Sequence, residues 1–175
     1  MSTGLEGQLE SYIRKYRNSG VLLDANVLLL LWAFEFDSKL IGRKKLEKYT
    51  ADDGQLLVNC VSQFKRILTT SSILAEVSNL AGLMLSGQQR AELFKRMYSF
   101  FNGPRTEGVG HCSIHGAVLP AQAFVHLGYT DASIIAVAQA PHFLLTDDLD
   151  LFLNAQQSGI PTINFTHMRE AANLV

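Results

Sequence analysis

The sequence predicts an α/β domain built on a largely parallel sheet, and three observations carry that expectation. Short apolar runs, Val21 to Leu23, Ile67 to Thr70, His142 to Leu145 and Ile160 to Phe165, read as strands buried on both faces. Longer segments with apolar residues at helical spacing lie between them. The two kinds of segment alternate along the chain, as parallel strands joined by helical crossovers do. A length of 175 residues favours one domain. Hydrophobic residues make up 47% of the chain and charged residues 18%, below the roughly 25% usual for soluble proteins, which indicates a well-filled core.

Taken in order, Leu9, Tyr12, Ile13 and Tyr16 recur at helical spacing in a polar segment that Gly20 closes. Residues 1–20 are therefore expected to form an amphipathic helical extension packed on a body of residues 21–175. Its Arg14, Lys15 and Arg17 read as a solvated face. After the strand Val21 to Leu23, the run Val27 to Phe34 is apolar all round and reads as a buried helix. Asn26 stands at its expected N-cap. Asp52-Asp53-Gly54 reads as a turn and Leu56 to Phe64 as a helix. Beyond the second strand, Ser71 or Ser72 is expected to cap a helix running to about Leu85.

Gly87 breaks the chain again. Leu93, Phe94, Met97, Tyr98 and Phe101 form a helical stripe that faces the core by default, and its aromatic end suits a homodimer or partner interface. Gly103-Pro104 stops it. In the Gly-rich loop that follows, Val109 marks a very short strand. His111, Cys112 and His115 have a spacing that hints at zinc, but three ligands from one loop with no second pair are a weak signal. Leu119 to Leu127 reads as a helix ended by Gly128, and Thr130 as the cap of an Ala- and Ile-rich helix beginning at Asp131. The strand His142 to Leu145 leads into Thr146-Asp147-Asp148-Leu149-Asp150, which opens a helix that Gly159 closes. Thr166 then caps a terminal helix after the last strand.

Several classes are disfavoured. The longest apolar run, Val27 to Phe34, is too short to span a bilayer, which takes about 20 residues, so no membrane partner is expected. Asp24 and Asn26 interrupt any signal-peptide core. Cys60 and Cys112 have no motif spacing, so free thiols in a reducing, cytoplasmic setting are expected. The net charge of -1 does not itself advertise nucleic acid. Six of the 16 acids, however, are Asp24, Glu76, Asp131, Asp147, Asp148 and Asp150, and without them 15 basic residues face 10 acids. A mildly basic body around an acidic pit suits a nucleic-acid substrate once cations fill the pit. The cluster Arg43, Lys44, Lys45 and Lys48 could contact phosphates, the alternative being a solvated face.

Those acids are the anomaly of the chain. Asp24 interrupts an apolar stretch, where an unpaired carboxylate costs several kcal/mol or takes up a proton. Glu76 lies one turn into a helix, and a capping box would need Ser or Thr where the chain has Ile73. Asn79 shares its face. Asp131 has an ordinary alternative, a first-turn acid that complements the helix dipole. Three acids in four positions after a strand, Asp147, Asp148 and Asp150, exceed what capping needs. Ligand sites of open α/β sheets form beyond the carboxyl ends of the strands. Asp24 and Asp147/Asp148 sit at such ends, and Glu76 and Asp131 in helices that start there. Converging carboxylates repel by about 4 kcal/mol per pair at 4 Å and an effective dielectric near 20. Hard cations such as Mg²⁺ or Mn²⁺ relieve this, and one or two of them can activate water against a phosphodiester.

Four blocks carry a family resemblance. Leu22-Leu23-Asp24-Ala25-Asn26-Val27-Leu28-Leu29, Ser72-Ile73-Leu74-Ala75-Glu76-Val77, Thr130-Asp131-Ala132-Ser133-Ile134-Ile135-Ala136 and Leu144-Leu145-Thr146-Asp147-Asp148-Leu149-Asp150 resemble, in order, the acidic motifs of PIN-domain nucleases over residues 21 to 165. The resemblance implies a three-layer α/β/α sandwich with a mostly parallel sheet of four to five strands. It also implies an Mg²⁺- or Mn²⁺-dependent endoribonuclease that hydrolyses single-stranded or structured RNA by metal-activated water, leaving a 5′-phosphate and a 3′-hydroxyl. Carried over by position, Asp24, Glu76, Asp131 and Asp148 are the primary acids and metal ligands. Asp150 is an auxiliary ligand, and Asn26 and Thr146 orient the others. Asp147 competes with Asp148 for the fourth role. Many small members, similar to VapC toxins, pair with an antitoxin protein, although this chain differs from them by its N-terminal helix and by extra length between Phe34 and Ile67. Two other functions remain in view. One is a catalytically silent fold of this type that binds RNA or protein. The other is a phosphatase with Asp24 as nucleophile, which would carry a second Asp where this chain has Asn26 and a Gly-Thr turn where it has Val27-Leu28.

Overall fold

Val21–Leu23 (β1) lies at the middle of the sheet, and its three side chains are fully buried. The computed structural model describes residues 4–108, 121–139 and 142–174. Among these, β1 is joined by Ile67–Thr69 (β2), Thr106–Gly108 (β3), Phe143–Thr146 (β4) and Thr162–Asn164 (β5) in the order β3-β2-β1-β4-β5. Every neighbouring pair is parallel, with Leu22 opposite Leu68 on one side and Leu144 on the other. Strands covered on both faces need apolar residues at successive positions, and Val21 to Leu23 and Phe143 to Leu145 supply them. Helices on both faces complete a three-layer α/β/α sandwich. The short strand expected at Val109 ends at Gly108; Val109 itself, like His111, Cys112 and His115, lies outside the described residues.

The strand order has one consequence for the site. The chain steps outward from β1 to β2 and β3, then returns to the opposite side of β1 to lay down β4 and β5. The order reverses between β1 and β4, so their following segments part and open a crevice at the carboxyl ends of these two strands.

The strand-to-helix turns are shorter than expected, and the caps shift accordingly. Asp24, not Asn26, is the N-cap of Ala25–Phe36 (α2): its Oδ1 accepts the Val27 amide at 2.7 Å. Thr70, not Ser71 or Ser72, caps Ser71–Met84 (α4) by accepting the Ile73 amide at 3.2 Å. Asn164, not Thr166, caps Phe165–Ala171 (α8) by accepting the Thr166 amide at 2.8 Å. In each case the residue that ends the strand, or the next one, is still extended and places its side-chain oxygen over the first helical amides. The side chains expected to cap are thereby left for other partners.

The expected turn Asp52-Asp53-Gly54 is instead the first turn of Ala51–Val61 (α3). Thr50 and Asp53 form a reciprocal capping box there. The glycine serves close packing: a Cβ on Gly54 would stand 2.3 Å from Phe34 Cδ2. Gly87–Phe101 (α5) buries Leu93 and Met97, while Tyr98 is 71% exposed. Ala121–Ala138 (α6) is interrupted at Gly128, whose φ of 81° and ψ of −173° are not helical, as the expected break there requires. Leu149–Gln157 (α7) follows β4. The first helix, Gly4–Tyr16 (α1), docks through buried Tyr16 and through Tyr12, whose ring lies 5.3 Å from that of Phe143. Among the described residues no helix is long and apolar enough to cross a membrane.

One buried ion pair ties the last helix to the body. Arg169 Nε donates to Asp53 Oδ1 at 2.7 Å, and its Nη2 donates to Asp53 Oδ2 at 3.2 Å and to the Lys48 carbonyl at 2.7 Å. The fork matches both carboxylate oxygens, the geometry that makes such pairs strong.

Gly54→Ala is expected to lower stability by about 1–3 kcal/mol, because the added methyl displaces the Phe34 ring. Thermal or urea unfolding measures the loss, and it should shrink in a Phe34→Leu background.

Candidate acidic site

The crevice at the ends of β1 and β4 is floored by Asp24, which is only 3% exposed. Its carboxylate is held from three directions. Oδ1 accepts the Val27 amide at 2.7 Å, and Oδ2 accepts the Asp147 amide at 2.8 Å and the Thr146 hydroxyl. Thr146 Oγ1 in turn accepts the Asp148 amide at 3.0 Å. Thr146 thus donates to Asp24. Asn26 does not: it is the second residue of α2, and its side chain makes no hydrogen bond among the described residues. Burial pushes the Asp24 carboxyl up to about 6, against the opposing pull of the hydrogen bonds from Thr146, Val27 and Asp147, and the Asp147 charge adds to the rise. A carboxylate offers about four lone-pair directions. With three engaged, one on Oδ1 is left.

Glu76 and Asp131 arrive on two helices stitched together by hydroxyls. Ser133 Oγ donates to the Thr130 carbonyl at 2.6 Å, so it must accept from Ser72 Oγ at 2.8 Å. Ser72 then accepts from Thr70 Oγ1 at 2.8 Å, and Thr70 accepts the Ile73 amide. This one-way chain joins the first turn of α4 to α6. Glu76 follows one turn after Ser72, on the same side of its helix. Both acids are half-buried. Burial first, and then the charges of Asp148, Asp24 and Glu76, push the Asp131 carboxyl up to about 7. Asp131 thus feels the charge of acids remote from it in sequence.

Asp147 and Asp148 divide cleanly. Asp148 is half-buried, caps α7 by accepting the Leu151 amide at 2.9 Å, and places its charge on Asp131. Asp147 turns away. Its Oδ2 accepts the Tyr49 hydroxyl at 2.5 Å and meets Lys48 Nζ at 2.6 Å, while its Oδ1 accepts the Thr166 hydroxyl. Asp150 is exposed in the first turn of α7. Nothing in the sequence marked Tyr49, which sits in an irregular basic stretch. In the sequence, the hydroxyls of Ser72 and Thr166 signal no more than helix caps.

The basic cluster is split. Lys48 Nζ pairs with Asp147, on the side turned away from the crevice. Lys44 Nζ donates to the Leu83 carbonyl at 2.8 Å, near the far end of α4. Arg43 lines a groove with Phe36, Asp37 and Leu85, at the far ends of α2 and α4. Lys45 is exposed. The length of α2, 12 residues, puts its far end about 18 Å from Asp24.

Among the described residues no three His, Cys, Asp or Glu side chains stand close enough together to hold a metal ion. The donor chemistry nonetheless suits a hard divalent cation: four carboxylates, one rigid and three half-buried, with like charge bearing on Asp131 and room for one more bond at Asp24 Oδ1.

The raised Asp131 carboxyl makes a pH prediction. An acid with a higher pKa in the folded state than in the unfolded state stabilises fully below the unfolded value. That stabilisation is lost as pH rises through the folded value. In EDTA, wild type should therefore lose stability relative to Asp131→Asn between about pH 4 and about pH 7, with a plateau above. At pH 8 the variant should be the more stable, by on the order of 1 kcal/mol after solvent screening. Thermal unfolding across this range checks both sign and window.

A scan against protein-family models finds no match for the chain, and a search of curated proteins finds no significant similarity.

Proposed function

We propose that the chain is an Mg²⁺- or Mn²⁺-dependent endoribonuclease of the PIN type. The observation that supports this most is the coupling of Asp131 to Asp24, Glu76 and Asp148 at the crevice where the strand order reverses. Asp53, by contrast, sits apart with its own cation, Arg169. Asp148, Asp24 and Glu76 instead bear on Asp131 with like charge, which a cation from outside would relieve. Bound divalent ions would lower the pKa of a water and offset charge on the scissile phosphate.

The roles of the residues follow from how each is held. Asp24 is fixed, with one lone pair to offer. Glu76 and Asp131 belong to two helices joined by the Ser72–Ser133 bond, so they approach as a pair. Asp148 holds its own helix end with one oxygen and leaves the other for a ligand. RNA as substrate and an antitoxin as partner rest on the resemblance. Asp24→Asn is a poor probe of this chemistry. Its amide would face the Asp147 N–H, leaving two donors opposed and costing about 1–3 kcal/mol. Asp131→Asn and Glu76→Gln remove charge without removing a cap.

Single-stranded and hairpin RNA should be cleaved with Mg²⁺ or Mn²⁺ to 5′-phosphate and 3′-hydroxyl ends. Asp131→Asn and Glu76→Gln should each lose roughly 100-fold or more in rate, and EDTA should abolish cleavage. Cleavage indifferent to EDTA and to both variants would sink the proposal. RNA binding without cleavage, equal with and without metal, would make the chain a silent binding module instead.

Independently of activity, millimolar Mg²⁺ or Mn²⁺ should raise the melting temperature. A ligand at 100 times its Kd contributes about 2.7 kcal/mol. The gain should be smaller in Asp131→Asn.

A further inference from the structure

We propose that Asp147 is not a ligand of the acidic site but the centre of a clamp, with Tyr49, Thr166 and Lys48, that aims Asp24; its consequence for metal binding rests on the nuclease reading above. The Asp147 amide that binds Asp24 Oδ2 lies just past the end of β4, where the sheet ladder no longer fixes the peptide. Its direction is set from the other side, by the Asp147 side chain. That carboxylate is wholly buried and is satisfied by the Tyr49 hydroxyl, the Thr166 hydroxyl and the Lys48 ammonium. These donors come from the segment before α3 and from α8, neither of which contributes an acid to the crevice.

The tyrosine donor is itself immobilised. Tyr49 is 2% exposed; its ring lies 6.4 Å from that of Phe165, with the Arg169 guanidinium 5.3 Å from its centre. Arg169 is locked on Asp53 and on the Lys48 carbonyl. A continuous buried path therefore runs from Asp53 through Arg169, Tyr49 and Asp147 to Asp24. The Asp147 carboxylate is turned away from the crevice and already carries the Lys48 cation, whereas Asp148 next to it retains one oxygen. Tyr49 and Thr166 are thus positioning residues: they act on Asp24 through the Asp147 peptide. Outer partners of this kind typically change metal affinity by 10–100-fold when removed.

Amide hydrogen exchange without metal reads the clamp directly. Tyr49→Phe and Thr166→Val should each cut protection of the Asp147 amide by roughly tenfold or more while the Leu144 and Leu145 amides in β4 stay protected. Met97→Ala, a core control in α5, should shift all these amides together. In Mn²⁺ titrations, each clamp variant should raise the concentration for half-saturation by roughly tenfold, with maximal binding retained. Unchanged protection at Asp147, or a loss no greater than in Met97→Ala, would overturn the clamp. So would an Asp147→Asn variant that loses Mn²⁺ binding with its amide still protected, since that marks Asp147 as a ligand. Should wild type neither bind Mn²⁺ nor cut RNA, the nuclease reading fails, and the exchange data still decide the clamp.

Discussion

A carboxylate at the end of the central strand, cut off from water, is the constraint on which the rest of this site depends. Asp24 sits where β1 stops and α2 begins, among residues that are almost wholly buried. It is tolerated there because its oxygens are met by an amide of its own helix, an amide from β4's end and the Thr146 hydroxyl. Two of these three donors come from the last residue of β4 and the one after it, and β4 lies beside β1 only because the chain crosses back over the sheet. The strand order and the buried acid are thus one requirement. Move β4 elsewhere and Asp24 loses two of its three donors; replace Asp24 with an apolar residue and the Asp147 amide at the crevice loses its acceptor.

Much of this was legible in the sequence, for an identifiable reason. Buried parallel strands have to be continuous apolar runs, and the acids stand out against them. Asp24 after Val21-Leu22-Leu23 and the pair Asp147/Asp148 shortly after the strand ending at Leu145 could be placed at strand ends from alternation alone, without a choice between Asp147 and Asp148. The caps were legible only to within one or two positions. A βα turn with no intervening loop lets the strand's last residues do the capping, and spacing rules do not distinguish Asp24 from Asn26 or Thr70 from Ser71. Gly54 misled for a related reason. A glycine beside two aspartates has the composition of a turn, while its actual constraint, the Phe34 ring, comes from another helix. Tyr49 was illegible altogether, because its importance arises from a partner 98 positions away.

The four acids are not equivalent, and their differences suit a site that accepts cations. Asp24 is immobile and nearly saturated with donors. Glu76, Asp131 and Asp148 are half-buried, and among the described residues they are not close enough with any third acid to enclose an ion. Mutual repulsion favours that spread, and it raises Asp131 further than burial alone would. Positive charge entering the crevice would reverse the balance: each acid drawn inward would gain more from the cation than it loses to its neighbours. A fixed floor with adjustable walls costs less reorganisation than four free carboxylates would.

The consecutive pair Asp147 and Asp148 shows why a run of acids cannot all serve one site. Successive residues in extended backbone point to opposite sides. If Asp148 faces the crevice, Asp147 must face the body, and a carboxylate directed into the body needs donors as strictly as Asp24 does. Tyr49, Thr166 and Lys48 are those donors. Their presence is therefore a consequence of the geometry at the end of β4. The same geometry makes the Asp147 peptide the link between them and Asp24: its side chain anchors outward and its amide points inward. An acid that looks redundant in the sequence is in this way committed to holding the one acid that cannot move.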